Sequence, residues 1–126
     1  MIQVQSILNI ADNSGCRIGR CIKIIHGFKN RWSSCGDLIL VSIQKMKKKR
    51  TLKTKIEKGD ITLAVILRTK AKYKRKHSKL INFNSNTIGL INKQYRPLGT
   101  RIKGPVLREL RKSKYMKLAI ISQGFV

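Results

Sequence analysis

The sequence predicts a mainly β protein, built as a small barrel of short strands with one short helix and further elements attached. Its apolar residues fall in short runs with strand-like spacing, and turn residues separate the runs. The 126 residues, of which 41% are hydrophobic, suffice for one domain with its own core. We therefore expect residues 1–126 to form a single domain.

The first two strands are expected to form a hairpin. The apolar residues of one parity are Ile2, Val4, Leu8 and Ile10 in the first strand and Cys16, Ile18, Ile22 and Ile24 in the second. The stretch between them, Asp12-Asn13-Ser14-Gly15, has the composition of a nucleophile with helper groups as well as that of a turn. Asp12 is the only acid near Ser14 and Cys16, so we interpret the stretch as a corner in which Gly15 takes the left-handed conformation.

The central strands are expected to be covered on both faces. The runs from Leu38 to Ile43 and from Ile61 to Leu67 are apolar on both parities, apart from one serine in the first. A Gly-Asp pair precedes each run, Gly36-Asp37 and Gly59-Asp60, which predicts a turn at each point. The stretches from Leu80 to Phe83 and from Thr87 to Ile91 supply further strands.

In the last part of the chain the spacing of the apolar residues changes from a strand-like to a helix-like pattern. From Gly104 to Arg111 we expect a short amphipathic helix, with Pro105 in its first turn. Its apolar side carries Val106, Leu107 and Leu110. After it, Met116, Leu118 and Ile120 alternate and predict a closing strand.

The charge of the chain indicates a polyanionic partner. Lys and Arg number 29 against five Asp and Glu, which gives a formal net charge of +24. A compact protein of this charge repels itself unless a polyanion neutralises it, and nucleic acid is the usual one. The cations cluster between predicted strands, from Lys45 to Lys58 and from Arg68 to Lys79. Glu57 is the only acid within these stretches, so their positive charges are not balanced by interleaved acids as they are on an ordinary solvated surface. We expect these stretches to lie along phosphate backbones.

Two kinds of side chain are candidates for RNA recognition. The residues that we expect to contact RNA are Asn13, Ser14, Lys23, Lys29, Arg31, Lys45, Lys47, Lys48, Lys49, Arg50, Arg68, Lys70, Lys72, Lys74, Arg75, Lys76, Arg96, Arg101, Arg108 and Arg111. Among the aromatic residues, Tyr73 and Trp32 stand beside cations in the sequence. Because single-strand binders present several stacking residues on one sheet face, we favour recognition of the shape and backbone of folded RNA over base stacking.

The cysteines do not predict a disulfide framework or a metal site. Cys16, Cys21 and Cys35 are odd in number and form no C-x-x-C pair. Cys16, Cys21 and His26 recur at intervals of five, but an odd interval on a strand places neighbours on opposite faces. We expect buried thiols in a reducing compartment, and no cofactor or metal.

Two other classes of function compete with RNA binding. A nucleoid or general DNA-binding protein has the same charge, and comparing the affinities for structured RNA and duplex DNA separates the two. A phosphodiester-cleaving barrel enzyme needs a paired-carboxylate metal site, which the sequence does not display. We therefore do not expect an enzyme.

Ordered segments of the chain carry a resemblance to a known family. They are Met1-Ile2-Gln3, Asn9-Ile10-Ala11-Asp12-Asn13-Ser14-Gly15, Cys21-Ile22-Lys23, Gly36-Asp37, Lys58-Gly59-Asp60, Arg68-Thr69-Lys70, Gly99-Thr100-Arg101-Ile102, Gly104-Pro105-Val106 and Arg108-Glu109-Leu110-Arg111. The sequence closely resembles the universal large-subunit ribosomal protein fourteen family in its bacterial and organellar form. The resemblance runs from Met1 to about Ser122, and the block from Gly99 to Arg111 is highly specific.

The resemblance implies a five-stranded β-barrel with a β-ribbon and a small C-terminal helical element. It implies binding to large-subunit rRNA at the subunit interface, beside the ribosomal proteins numbered three and nineteen, and a contribution to a bridge to small-subunit rRNA. In the family a ribosome-silencing factor docks at positions that match Thr100, Arg101 and Lys117. We also expect the helix near Leu107 to offer an apolar and basic face to a neighbouring protein.

The sequence departs from the family pattern in one loop and at its C-terminal end. The loop from Lys45 to Lys58 is longer and more basic than usual, and Gly124-Phe125-Val126 replaces the usual Pro-Glu.

The chain shows neither a secretory signal nor an apolar run of about 18 to 20 residues, the length that spans a bilayer. It starts where bacterial members start, and Lys, Ile and Asn, which have AT-rich codons, are abundant. We therefore expect the mitochondrial matrix, with a plastid or a bacterial cytoplasm as the alternative.

Overall fold

The computed structural model describes residues 1–25, 31–47, 56–75, 79–112 and 114–126. Its strands are β1 (Ile7–Ile10), β2 (Cys16–Ile24), β3 (Leu38–Met46), β4 (Ile61–Arg68), β5 (Tyr73–Lys74), β6 (Leu80–Ile81) and β7 (Thr87–Ile91). A 3-10 helix, Arg108–Lys112, and an α-helix, α1 (Met116–Ile120), follow. The strands β1-β2-β3-β4-β7 close into a barrel, and β5 and β6 form a separate two-stranded ribbon. The predicted mainly β class, with its barrel, ribbon and C-terminal helical element, is confirmed.

The barrel closes where its first strand meets its last one. Asn9 pairs with Thr87 and Ile10 with Ile88, and this β1–β7 pairing is parallel. The pairings β1–β2, β2–β3, β3–β4 and β4–β7 are antiparallel. The ribbon lies between β4 and β7 in the chain, so it extends from the barrel without interrupting the pairing of these two strands.

Two apolar clusters explain why the central strands are apolar on both parities. The barrel interior is filled by buried side chains that include Leu8, Ile39, Val41, Ile43, Ala64, Ile66, Ile88 and Leu90. The second cluster lies outside the barrel wall, where Leu38, Val65, Leu67 and Ile91 pack with Val106, Leu110, Tyr115 and Leu118 of the C-terminal part. The prediction that β3 and β4 are covered on both faces is thus confirmed for these positions.

The first hairpin differs from its predicted pattern in two respects. Val4 is 48% exposed and lies in a turn before β1, where Gln5 has a φ of 69°, so the regular strand begins only at Ile7. In β2 the buried positions are Cys16, Gly19 and Cys21, because the register shifts on both sides of Ile18. An irregular strand of this kind breaks strict alternation.

The same shift overturns the expectation that Cys16 and Cys21 diverge. Both thiols are fully buried in the barrel interior, and burial raises the pKa of Cys21. The third member of the set considered for zinc, His26, lies outside the described residues. Among the described residues, no group of three or more His, Cys, Asp and Glu side chains is placed to hold a metal ion.

The predicted closing strand is wrong, because this segment is helical. The residues expected as a closing strand, Met116, Leu118 and Ile120, form the helix α1, with Leu118 and Ala119 buried and Met116 and Ile120 exposed. Apolar residues at alternate positions do not distinguish a strand from a helix over so short a stretch. The N–H groups of Leu118 and Ala119 donate to the carbonyl of Tyr115, which starts the helical turn.

The expected helix from Gly104 begins later than predicted. Val106 is extended, because it forms a parallel bridge with Phe125, and helical structure starts only at Arg108. The predicted apolar side is nevertheless buried, since Val106, Leu107 and Leu110 are at most 2% exposed. No helix in the described ranges has both the length and the apolar character needed to cross a membrane.

The two Gly-Asp turns are confirmed and share one geometry. Gly36 and Gly59 have φ values of +93° and +96°, a conformation that favours glycine. In each turn an aspartate oxygen accepts the N–H three residues earlier: Asp37 from Ser34 at 2.7 Å, and Asp60 from Glu57 at 2.8 Å. The glycine N–H donates to a barrel carbonyl, that of Ile66 or Ile43, at 2.8 Å. The motif attaches each turn to the barrel at the start of a strand.

Candidate nucleic-acid interface

The corner between β1 and β2 is organised by a buried aspartate. Asp12 is 1% exposed, and its Oδ1 accepts hydrogen bonds from the N–H of Ser14, at 3.0 Å, and from the Ser14 hydroxyl. Its Oδ2 accepts the N–H of Leu90 on β7 at 2.9 Å. Gly15 has a φ of 90°, as the turn interpretation requires. The carboxylate is occupied by structural hydrogen bonds, which accounts for the composition of this stretch without a catalytic role.

The next residue in the corner positions the segment that follows Gly99. Asn13 Oδ1 accepts the N–H groups of Thr100, at 2.8 Å, and of Arg101, at 3.2 Å, while its Nδ2 donates to Thr100 Oγ1 at 2.9 Å. A Cβ atom at Gly99 would lie 2.7 Å from the Cβ of Asp12 and 2.9 Å from Asn13 Oδ1. Glycine therefore allows the close approach that brings Thr100 and Arg101 to the corner.

Two predicted RNA contacts are used inside the molecule. Lys47 Nζ donates to the carbonyl of Asp12 at 2.9 Å. Arg68 Nε donates to Thr87 Oγ1 at 2.7 Å and its Nη2 to the carbonyl of Lys103 at 2.8 Å. Burial lowers the pKa of Arg68, and the backbone at Gly104 lies so close to its guanidinium that a Cβ would not fit. Arg68 therefore braces β4 and β7 against the segment at Lys103.

A second arginine ties the ribbon to the C-terminal part. Arg75 Nε donates to Glu109 Oε1 at 2.6 Å and its Nη2 to Oε2 at 3.2 Å, while Nη2 also donates to the backbone oxygen of Val126. The hydrogen bond from Arg75 holds the pKa of Glu109 below its ordinary value, and Glu109 in turn raises the pKa of Arg75. Arg111 lies over the ring of Phe125, 4.9 Å from its centroid, in a cation–π contact.

The remaining surface is dominated by positive charge. The structure describes all five acids of the chain, and among them only Glu57 and Asp60 are exposed. Asp12 is buried, Asp37 caps a turn, and Glu109 forms the ion pair with Arg75. Exposed cations are Arg17, Arg20, Lys23, Arg31, Lys45, Lys58, Lys70, Lys72, Lys74, Lys79, Lys93, Arg96, Arg101, Lys103, Arg108, Arg111, Lys114 and Lys117. Such a surface favours a polyanionic partner.

Comparison with known families decides between the candidate classes of protein. The sequence model of the family "Ribosomal protein L14p/L23e" matches residues 1–126, the full length given. The chain belongs to the ribosomal protein L14p/L23e family. It is therefore a structural constituent of the large ribosomal subunit. The family is of a structural, non-enzymatic kind and implies association with rRNA and other ribosomal proteins.

In this L14p/L23e protein the predicted RNA-contact residues fall into three groups. Lys23, Arg31, Lys45, Lys70, Lys72, Lys74, Arg96, Arg101, Arg108 and Arg111 are exposed and accessible. Asn13, Lys47, Arg68 and Arg75 make the internal contacts described above, and Ser14 is fully buried. Lys29, Lys48, Lys49, Arg50 and Lys76 lie outside the described residues. The first group is the surface on which an RNA-binding proposal rests.

Three of the four residues predicted to face protein partners lie on one exposed surface, and Leu107 does not. The Ile102 N–H donates to the Ile121 carbonyl at 3.0 Å, which places the Thr100–Arg101 segment beside the end of α1 that follows Lys117. Thr100, Arg101 and Lys117 are exposed. Leu107 is only 1% exposed, so its side chain belongs to the core and does not supply the expected apolar face.

An apolar depression beside this surface includes Ile120, which the sequence predicted to lie in a closing strand. Pro97, Ile120 and Ile121 line a shallow depression with Arg96 and Lys117, and Ile120 is 67% exposed. Met116, four positions before Ile120, is 50% exposed on the same short helix. Residues four positions apart lie on the same face of a helix, so the spacing of Met116 and Ile120 reveals this face once the segment is known to be helical.

Proposed function

We propose that this L14p/L23e protein binds large-subunit rRNA through those of its predicted RNA-contact cations that are exposed, and that it contributes to a bridge to small-subunit rRNA at the subunit interface. The observation that supports this proposal is the separation of charges in the molecule. Four of its five carboxylates are engaged in internal hydrogen bonds or an ion pair, whereas most of the described cations reach solvent. The protein has no catalytic role in this proposal.

The cations near the ribbon are central to the interface. Lys70, Lys72 and Lys74 are exposed on the segment that leads from β4 into β5, and Lys79 is exposed just before β6. Such a row of long cationic side chains follows a phosphate backbone without reading its sequence. If about ten of the protein's side chains meet phosphates, the logarithm of affinity falls with the logarithm of salt concentration at a slope of about −7 to −9.

Protein neighbours belong to the same proposal. We assign the ribosomal proteins numbered three and nineteen as neighbours, and the surface formed by Thr100, Arg101 and Lys117 as the docking site of a ribosome-silencing factor. That surface combines exposed cations with the neighbouring apolar depression at Ile120, a combination suited to contact with a protein. Residues 1–126 act as one domain, and the proposed location is the mitochondrial ribosome, with plastid and bacterial ribosomes as the alternative.

The central experiment measures binding to an rRNA fragment over a range of salt concentrations. The variant Lys70→Gln/Lys72→Gln/Lys74→Gln removes three charges beside the ribbon, and the salt slope should become shallower by about 2 to 3. The matched control, Lys93→Gln/Lys103→Gln/Lys114→Gln, removes three exposed charges that the RNA proposal does not use. Equal slopes for the two triple variants would contradict the assignment of the ribbon region to rRNA.

Four further measurements test parts of the proposal against their alternatives. At physiological salt the protein should prefer structured rRNA to duplex DNA of the same length, and the opposite preference would support a DNA-binding role. In a sucrose gradient the native protein should migrate with large subunits. A cross-linking map from lysines 45 to 79 onto both rRNAs tests the intersubunit bridge, which predicts cross-links to small-subunit rRNA in joined ribosomes only. Fractionation of cells tests the mitochondrial assignment.

A further inference from the structure

A cleft beside the ribbon brings together two aromatic residues that are distant in the sequence. Trp32 and Tyr73 both line it, together with Met1, Asp37, Lys72 and Lys74. Its volume is about 390 Å³, within the range of sites that hold small molecules. The cleft lies between the segment before β3 and the first strand of the ribbon.

The two aromatic residues are held on supported backbone. Ser33, next to Trp32, forms an antiparallel bridge with Ile2, with N–H to carbonyl distances of 2.8 and 2.9 Å in the two directions. Tyr73 pairs with Ile81 across the ribbon, and the neighbouring Arg75 is bound to Glu109. Trp32 is nevertheless 54% exposed. A large indole ring on a supported backbone, left open to solvent, is suited to contact with a partner.

The charges around the cleft decide what kind of group enters it. Lys72 and Lys74 are exposed on one wall, and Arg31 is exposed next to Trp32. Asp37, whose Oδ2 accepts the N–H of Ser34, also lines the cleft. Its negative charge disfavours a phosphate or carboxylate inside the cleft, while its oxygens accept hydrogen bonds from N–H donors. The lysines at the edge of the cleft favour an anion there, and Asp37 favours a neutral group with N–H donors inside. A ligand that joins a neutral planar group with N–H donors to an anionic group meets both requirements.

We propose that this cleft binds one unpaired nucleotide of RNA, with its base stacked on Trp32 and walled by Tyr73, and with its phosphates on Lys72 and Lys74. This inference rests on the proposed rRNA-binding function and adds a base-recognition site to it. Aromatic platforms flanked by cations bind single-stranded RNA in this way. The sequence favoured backbone recognition because its aromatic residues are few and scattered, and the fold places two of them in one cleft.

The chain contains one tryptophan, so its fluorescence reports directly on the cleft. We expect a short single-stranded RNA to quench this fluorescence on binding to the full chain. The matched probe is the same strand with abasic positions, which keeps the number of phosphates and removes the bases. It should bind through its phosphates with little quenching, and more weakly than the intact strand.

Variants of the two aromatic residues test the stacking contact by anisotropy of a labelled strand. Trp32→Leu should weaken binding of the single strand by about 5- to 150-fold, and Trp32→Phe should restore most of the affinity. Tyr73→Leu should weaken it to a smaller extent. The control is Phe125→Leu, which changes an aromatic residue 38% exposed at the C-terminal part and should leave the affinity unchanged. Circular dichroism verifies that each variant is folded.

The outcomes distinguish failure of the cleft from failure of the proposed function. If the intact and abasic strands bind equally, or if polyglutamate quenches Trp32 as RNA does, the base site is wrong while salt-dependent binding of rRNA fragments still stands. If the protein binds neither single strands nor rRNA fragments, the proposed function itself is wrong. Weaker single-strand binding by Trp32→Leu, with the rRNA salt slope unchanged, is the result expected of a base site.

Discussion

Asp12 Oδ2 accepts the backbone N–H of Leu90 at 2.9 Å, which joins the corner after β1 to β7 inside the protein. The same carboxylate caps the corner through Ser14. It thereby supports both the turn that carries Asn13 and the barrel strand that pairs in parallel with β1. A single buried side chain thus links barrel closure to the geometry of the surface at Thr100 and Arg101.

The first prediction concerns this buried carboxylate. Asp12→Ala leaves the N–H groups of Leu90 and Ser14 buried without their acceptor, and the free energy of unfolding should fall by about 3 kcal/mol or more. Urea denaturation measures the change. Asp60→Ala is the control, because Asp60 accepts a similar turn hydrogen bond but is exposed, and its loss should cost under about 1 kcal/mol. Equal losses for the two variants would contradict the role of Asp12 as a buried link.

The second prediction concerns the contact of Asn13 with the following segment. Asn13→Ala removes the acceptor for the N–H groups of Thr100 and Arg101, and hydrogen exchange at these two amides should accelerate about tenfold. NMR-detected exchange resolves the individual amides. Thr100→Val removes only the side-chain hydrogen bond with Asn13 Nδ2, so it should leave the exchange at Arg101 nearly unchanged. Faster exchange throughout the barrel would instead indicate global destabilisation.

The sequence was sufficient to predict the barrel because its central strands are short, nearly continuous apolar runs bounded by turn residues. The runs that became β3 and β4 are apolar on both parities, and the structure buries side chains on both faces, with Leu38 and Val65 on the outer one. The Gly-Asp turns were predictable because glycine at positive φ and an aspartate cap are local requirements. These features depend on neighbours in the chain, which a sequence displays directly.

The misassigned features depend on partners that are distant in the chain. Val106 is extended because it pairs with Phe125, and α1 forms where Leu118 can pack on the outer face of the barrel. The bulged register of β2 brings Cys16 and Cys21 to the same interior. Likewise, Arg68 was assigned to RNA from its place in a basic stretch, whereas its hydrogen bonds to Thr87 and Lys103 arise only in the folded chain.

The third prediction separates Arg68 from a cation that faces solvent. Arg68→Met should lower the free energy of unfolding by about 2 kcal/mol, because two hydrogen bonds are lost, and should leave the salt slope of rRNA binding unchanged. Lys70→Gln should do the reverse, making the slope shallower by about 0.7 to 0.9 while stability changes by less than about 0.5 kcal/mol. Denaturation and salt-dependent rRNA binding are measured on both variants, and each variant should change only one of the two quantities. If Arg68→Met made the salt slope of rRNA binding shallower, Arg68 would contact RNA, contrary to this prediction.

The fourth prediction is a pH dependence that arises from the Arg75–Glu109 pair. Because the pKa of Glu109 is lowered by Arg75 in the folded state, the pair stabilises the protein above the ordinary pKa of a glutamate, about 4.3. This contribution is lost as the pH falls through the lower folded-state pKa. Glu109→Gln should therefore be less stable than the wild type at pH 7, and the difference should shrink as the pH approaches 3.

Denaturation curves measured from pH 7 to pH 3 test this dependence. Glu57→Gln, which removes an exposed carboxylate near the turn at Asp60, controls for the change in net charge. A constant difference between Glu109→Gln and the wild type over the whole range would contradict the ion-pair explanation. The same experiment reports on the ribbon, because Arg75 holds it to the C-terminal part through this pair.

The parallel pairing of β1 with β7 determines when the protein can fold during synthesis. β1 emerges first, but its partner Thr87–Ile91 is translated only after the ribbon, so a nascent chain lacking β7 leaves unsatisfied strand edges on β1 and β4. Long-range closure of this kind gives high contact order and slow folding. Mutual electrostatic repulsion between such highly cationic nascent chains opposes edge-to-edge aggregation until the last barrel strand arrives.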